Sequence, residues 1–140
     1  MKHKSDTVRL VLTLFFFACF ASAQKPDQLY GRWEVRAVAA SSPVTAMTGT
    51  AAGRLVGQFM VLTSDRVQFA TETCHPTYEL LKETAAEFLR NYKVDSKTLK
   101  LPDPVARFDG DCTDVFILGP NEIVFTWKGY FLQAKRVPAK

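Results

Sequence analysis

Short apolar alternations, each closed off by a turn signal, set the limits on what this chain can fold into. Arg32 to Val38 alternates polar Arg32, Glu34 and Arg36 with apolar Trp33, Val35 and Ala37, the period-two pattern of a half-buried strand. Gly57 to Thr63 and Arg66 to Thr71 read as the arms of a hairpin with Ser64-Asp65 at its turn. Phe59 and Val61 share one face of the first arm, Val67 and Phe69 one face of the second. Tyr78 to Lys82 reads as a short strand, and Leu99 to Leu101 as another, stopped by Pro102 and Pro104. Cys112 to Leu118, Ile123 to Trp127 and Tyr130 to Val137 follow, separated by Gly119-Pro120-Asn121 and Lys128-Gly129. Two segments depart from this period. Thr84-Ala85-Ala86-Glu87 has the form of a capping box, and Ala85, Phe88, Leu89 and Tyr92 follow at helical spacing, which predicts one helix of about two turns. Thr48 to Leu55 predicts a short helical turn with Ala51, Ala52 and Leu55 facing in. About seven or eight short strands with one mid-chain helix predict a mainly β chain, a small antiparallel up-and-down β-barrel.

The first residues have a different character. Lys2, His3, Lys4 and Arg9 form a basic start, Leu10 to Phe20 is an apolar run broken only by Thr13, and Ala21-Ser22-Ala23 offers the small residues that a signal peptidase reads. Residues 1–23 are therefore expected to be a cleaved signal peptide, with the cut near Ala23-Gln24, and residues 24–140 a single barrel domain that is secreted or periplasmic. The apolar run is far shorter than the ~20 residues a membrane-spanning helix needs, so no transmembrane anchor is expected. Cys19 lacks a suitable approach for lipid modification and lies upstream of the cleavage site. Cleavage would also remove Lys2, Lys4, Arg9 and Asp6, and with them about half of the net charge of +4. The remaining charges are scattered and mixed in sign, as in Lys82, Glu83, Glu87 and Arg90, so a nucleic-acid partner is not expected. Cys74 and Cys112 are then the remaining cysteines, and in an exported domain they predict one disulfide.

The two ends of the strand pattern carry a family resemblance. Gly31-Arg32-Trp33 opens the first strand and Arg136 lies near the end of the last. This resembles the calycin arrangement of lipocalins and their shorter relatives, which implies that the indole of Trp33 packs under the guanidinium of Arg136. Strand parity points the same way: if Tyr130, Leu132 and Ala134 face inward, so does Arg136, and stacking on Trp33 would give it a partner. The chain is shorter than a typical lipocalin, and its helix lies mid-chain instead of before the last strand. The segment Cys74-His75-Pro76-Thr77-Tyr78 is also similar to one found in small exported bacterial proteins. That likeness implies a periplasmic setting and no particular activity.

Residues suited to catalysis are scarce. His75 is the sole histidine after residue 23, and it sits at a corner between Cys74 and Pro76. A catalytic triad or a zinc site needs more than that. Asp109-Gly110-Asp111 has alternate acidic residues but lacks the further ligands of a calcium loop, and a turn explains it. No phosphate-cradling glycine loop is present. The expectation is a protein that is not an enzyme and uses no metal or cofactor. Trp127, Lys128 and Tyr130 flank a hairpin tip and are the candidate partner-binding residues, together with the long connection from Ala39 to Gly53. The expected function is binding of another exported or periplasmic protein, as an inhibitor or immunity protein against a hydrolase. The alternative is a carrier of a small apolar ligand inside the barrel.

Overall fold

The computed structural model describes residues 25–139. The signal peptide expected over residues 1–23, Cys19 and the cleavage position lie outside the described residues. Described strands are β1 (Gly31–Ser41), β2 (Phe59–Leu62), β3 (Val67–Phe69), β4 (Glu72–Cys74), β5 (Glu79–Glu83), β6 (Val105–Asp109), β7 (Asp114–Gly119), β8 (Glu122–Trp127) and β9 (Tyr130–Arg136). They form one nine-stranded sheet in the order β4-β3-β2-β1-β9-β8-β7-β6-β5, antiparallel throughout and curled into an open half-barrel. The helices are α1 (Gly49–Gly53) and α2 (Ala85–Tyr92), with 3-10 turns at Pro26–Leu29 and Ser96–Leu99. Among the described residues no helix is long and apolar enough to cross a membrane.

The free edges of the sheet, β4 and β5, follow each other in sequence. Counting through the antiparallel pairs shows that they run in the same direction. A short link cannot pair two parallel strands, which need a crossover of a dozen or more residues. β4 and β5 therefore behave as successive halves of one interrupted strand. The first half bonds to β3, the second to β6, and between them His75 to Tyr78 forms a seam. Tyr78 turns the chain there with a left-handed backbone (φ 52°).

The sheet is buried on two faces. Its concave face holds Trp33, Met60, Leu62, Phe69, Phe125 and Trp127 among others. Phe69 of β3 meets Phe125 and Trp127 of β8 edge-on, with centroids 5.1 and 5.0 Å apart, so the interior is bridged by side chains. The convex face over β7 to β9 is covered by α2 and the segment after it, which bring Phe88, Val94, Leu99 and Leu101 onto Phe116, Val124 and Phe131. The capping box predicted for α2 is formed: Thr84 Oγ1 accepts from Glu87 N at 3.2 Å, and Glu87 Oε2 accepts from Thr84 N at 2.7 Å. These bonds hold the Glu87 carboxyl below its usual range.

Two expectations are corrected, and two faces are settled. The second hairpin arm is two strands, because Ala70 (φ 52°) turns the chain between β3 and β4. Leu99 to Leu101 is no strand. Asp95 caps a 3-10 turn by accepting from Lys97 N at 2.9 Å, and Lys100 (φ 56°) ends it. The strand here is β6, which opens just past Pro104 and was hidden behind the two prolines. On β2 the inner face carries Met60 and Leu62, and Phe59 and Val61 share the outer one. The register sets this by placing Met60 opposite Trp33. Phe59 lies outside, with the Arg32 guanidinium 3.6 Å from its ring centroid. On α2, Leu89 is exposed and Phe88 is the residue that reaches the core.

Candidate functional site

The carboxyl end of β9 and the amino end of β1 meet at one end of the barrel. Trp33 pairs with Arg136 across the two strands. The indole is fully buried and its Nε1 donates to the Leu29 carbonyl at 2.8 Å. The guanidinium carbon of Arg136 lies 4.3 Å from the ring centroid. Arg136 also donates to three backbone carbonyls: Pro120 at 3.1 Å through Nε, Tyr30 at 2.8 Å through Nη1, and Gln28 through Nη2. Gly31 leaves room for this. A Cβ there would lie 3.0 Å from Nη1, and its φ of 134° suits glycine alone.

Arg136 thereby joins the 3-10 turn that carries Gln28 to the β7–β8 turn that carries Pro120. Between them lies an open groove of about 580 Å³. Its apolar lining comes from Leu29, Pro102, Ile117, Leu118, Pro120 and Ile123. The lining cation is Arg136, whose donors already face carbonyls. Apolar side chains thus make up most of the groove lining, with Gln28 and Arg136 at its side. The groove lies within the volume range of small-molecule and peptide-side-chain sites. Sequence reasoning reached Trp33 and Arg136 but missed the groove, because its walls come from separate turns that carry no motif.

The opposite barrel end does not present the expected aromatic patch. Trp127 and Tyr130 are 3% and 8% exposed, so the tip offers only Lys128. Both rings follow the inward parity of their strands, and the Tyr130 hydroxyl donates to Met47 O at 3.1 Å. Lys128 forms an ion pair with Glu72 at 2.6 Å. The loop after β1 straps across this tip. Ser42 N donates to Gly129 O at 2.8 Å and Ala46 N to Lys128 O at 2.9 Å. Gly129 is required here, since a Cβ would come 2.5 Å from Val44 O. The strap leaves Val44 83% exposed at its apex.

Cys74 and Cys112 are joined, with Cα atoms 6.1 Å apart. The bond ties the end of β4 to the β6–β7 turn and so crosses the seam. Tyr78, next to the seam, is buried and donates its hydroxyl to Thr63 O at 2.7 Å. Burial pushes its pKa up to about 12. An unfolded tyrosine ionises near pH 10, so the unfolded chain releases this proton first. The contribution of Tyr78 is full below pH ~10 and is lost as pH rises towards ~12. Tyr78→Phe is accordingly expected to flatten the decline in urea midpoint between pH ~10 and ~12. Equal declines in variant and wild type would contradict this.

A charged network lies under α2, on the convex face. Arg107 Nη1 donates to Asp114 Oδ1 at 3.0 Å, its Nε is 3.4 Å from Glu83 Oε2, and Tyr92 donates to Asp114 Oδ2 at 2.6 Å. Asn91 donates to Glu83 Oε1. Burial, and the bond to Asp114, raise the Tyr92 pKa. Burial works against the charge of Arg107, but Tyr92, Asp114 and Glu83 outweigh it and raise its pKa. Two carboxylates thus share one guanidinium, and Glu83 Oε2 and Arg107 Nε are buried without a hydrogen-bond partner. Elsewhere Asp109 caps its own turn, accepting from Asp111 N at 2.9 Å, and the His75 ring is exposed with Nδ1 3.0 Å from Asp65 O. Comparison of the chain with protein-family models, with curated proteins and with solved structures finds no match to any of them.

Proposed function

We propose that this chain is an exported, calycin-like barrel that acts by binding another exported protein, as an inhibitor or immunity protein against a hydrolase. One contrast carries this reading: the barrel interior is filled by its own side chains, while an open apolar groove lies at the Trp33–Arg136 end. An eight-stranded barrel holds either its own side chains or one small ligand, and here Phe69, Phe125, Trp127 and Met60 occupy that space. A carrier of apolar cargo would have to use the groove instead. The groove walls are held by Arg136, so little conformational freedom is lost when a partner docks. The disulfide is in keeping with an oxidising compartment outside the cytoplasm.

The test is affinity capture from an envelope extract with the wild-type chain and with two groove variants, Gly119→Arg and Pro102→Arg. Gly119 has open space where a Cβ would be placed, and Pro102 is exposed, so both changes alter the groove and spare the core. A hydrolase is expected with the wild type, inhibited by it, and lost with both variants. Recovery of lipid alone, or of nothing, would sink the reading. So would a captured protein that both variants retain.

A further inference from the structure

The layer that runs from α2 to Leu101 has two unlike sides. Phe88, Val94, Leu99 and Leu101 point into the convex-face core. Between them Arg90, Lys93, Lys97 and Lys100 are all exposed. Lys93 precedes buried Val94, Lys97 follows buried Ser96, and Lys100 stands between Leu99 and Leu101, so these cations turn outward as their neighbours turn in. Arg90 lies about 200° round the helix from Phe88. Leu89, 51% exposed, stands beside them. The acids nearby are engaged elsewhere. Asp95 caps the 3-10 turn by accepting from Lys97 N, Glu87 Oε2 accepts from Thr84 N, and Asp103 Oδ1 accepts from Ala85 N at 3.0 Å. Among the described residues the cations in ion pairs are Arg36, Arg107 and Lys128, so none of these four has a carboxylate partner. Residues 1–23 hold three cations and one acid, which leaves +2 of the net +4 for the rest of the chain. Residues 89–100, with four cations and Asp95, carry +3, so this face is the positive pole of the folded part.

We propose that this face is a membrane-contact surface, on which Arg90, Lys93, Lys97 and Lys100 attract anionic lipid headgroups while Leu89 enters the apolar boundary beneath them. Charge complementarity selects an anionic partner, and the side chains select a bilayer among anionic partners. Single-stranded nucleic acid is held by rings on which bases stack, and none is offered on this face. Tyr92 is half-buried with its hydroxyl on Asp114, and the exposed Phe59 lies on β2 under Arg32. A duplex is read by an element that enters its groove, whereas α2 lies against the sheet. Contacts with folded proteins are rich in arginine and aromatic residues and poor in lysine. Three of these four cations are lysines, compact charges on flexible stems, which suit a surface of mobile headgroups. A leucine beside them gains burial at the headgroup boundary of a bilayer. Each cation near an anionic surface strengthens binding about fivefold. None of the residues lining the groove takes part, so this contact and hydrolase binding stand or fall separately.

Vesicle flotation tests this, with the protein as the cell exports it. Vesicles of equal parts phosphatidylglycerol and phosphatidylcholine should carry the wild type, and vesicles of phosphatidylcholine alone should not. Salt at roughly 0.5 M should release it. Lys93→Gln combined with Lys97→Gln should weaken binding roughly twentyfold. Leu89→Gln should weaken it several-fold and leave the salt dependence unchanged. All three side chains are exposed, so melting temperatures should match the wild type. Equal flotation with both kinds of vesicle would overturn the proposal, as would wild-type binding by either variant. So would tighter binding to a DNA duplex, or to polyglutamate, than to the anionic vesicles at the same salt.

Discussion

Replacing Cys74 or Cys112 by serine is expected to lower the melting temperature on the order of 15 °C. The bond joins residues 38 apart in sequence, and closing a loop of that length removes freedom from the unfolded chain worth about 4 kcal/mol. Small domains have only about 5–15 kcal/mol in total. The location adds to the effect. β4 pairs with β3 alone and β5 with β6 alone, so no strand pairing crosses the seam and this bond ties its two sides covalently. The measurement is thermal unfolding of each single variant under oxidising conditions. Reductant should bring the wild type down to the same temperature and leave the variants where they are. Melting of the variants at the wild-type temperature would refute the structural role.

Trp33→Ala is expected to cost about 3–5 kcal/mol, the range for emptying a buried aromatic site. Trp33 is in contact with the interior on one side and under Arg136 on the other, and its indole N–H satisfies the Leu29 carbonyl. Removing the ring opens a cavity, unpairs that buried carbonyl, and strips Arg136 of its stacking partner. Because Arg136 holds both groove walls, groove-dependent binding should fall with stability. Urea titration gives the stability change. A loss below about 1 kcal/mol would mean that the barrel end repacks around the gap and that Trp33 is not its keystone.

Legibility in the sequence followed how local each cause was. The capping box was readable because Thr84 and Glu87 are three residues apart and satisfy each other. The pairing of Cys74 with Cys112 was readable by arithmetic. Inward parity on β9 was readable because polar Gln133 and Lys135 mark the opposite face from Leu132 and Ala134. On β2 parity failed, because Phe59, Met60, Val61 and Leu62 are all apolar and the pattern has no polar face. Only the register with Trp33 decides which pair turns in. Trp127 and Tyr130 failed differently: beside a tip they look exposed, yet strand parity buries them. The convex-face core was invisible in the sequence, since it depends on α2 folding back over Phe116, Val124 and Phe131. Long-range packing of this kind leaves no period in a single segment.

The interrupted strand also bears on how the molecule avoids clumping. An unpaired sheet edge invites another strand to add to it, and proteins guard such edges by keeping them short and charged. The two free edges here are three and five residues long. They carry Glu72 on one side and Glu79, Lys82 and Glu83 on the other. The positive φ at Tyr78 bends the path between them, so no long straight edge is offered. The flank of the barrel is thus protected against strand-by-strand stacking of the amyloid type.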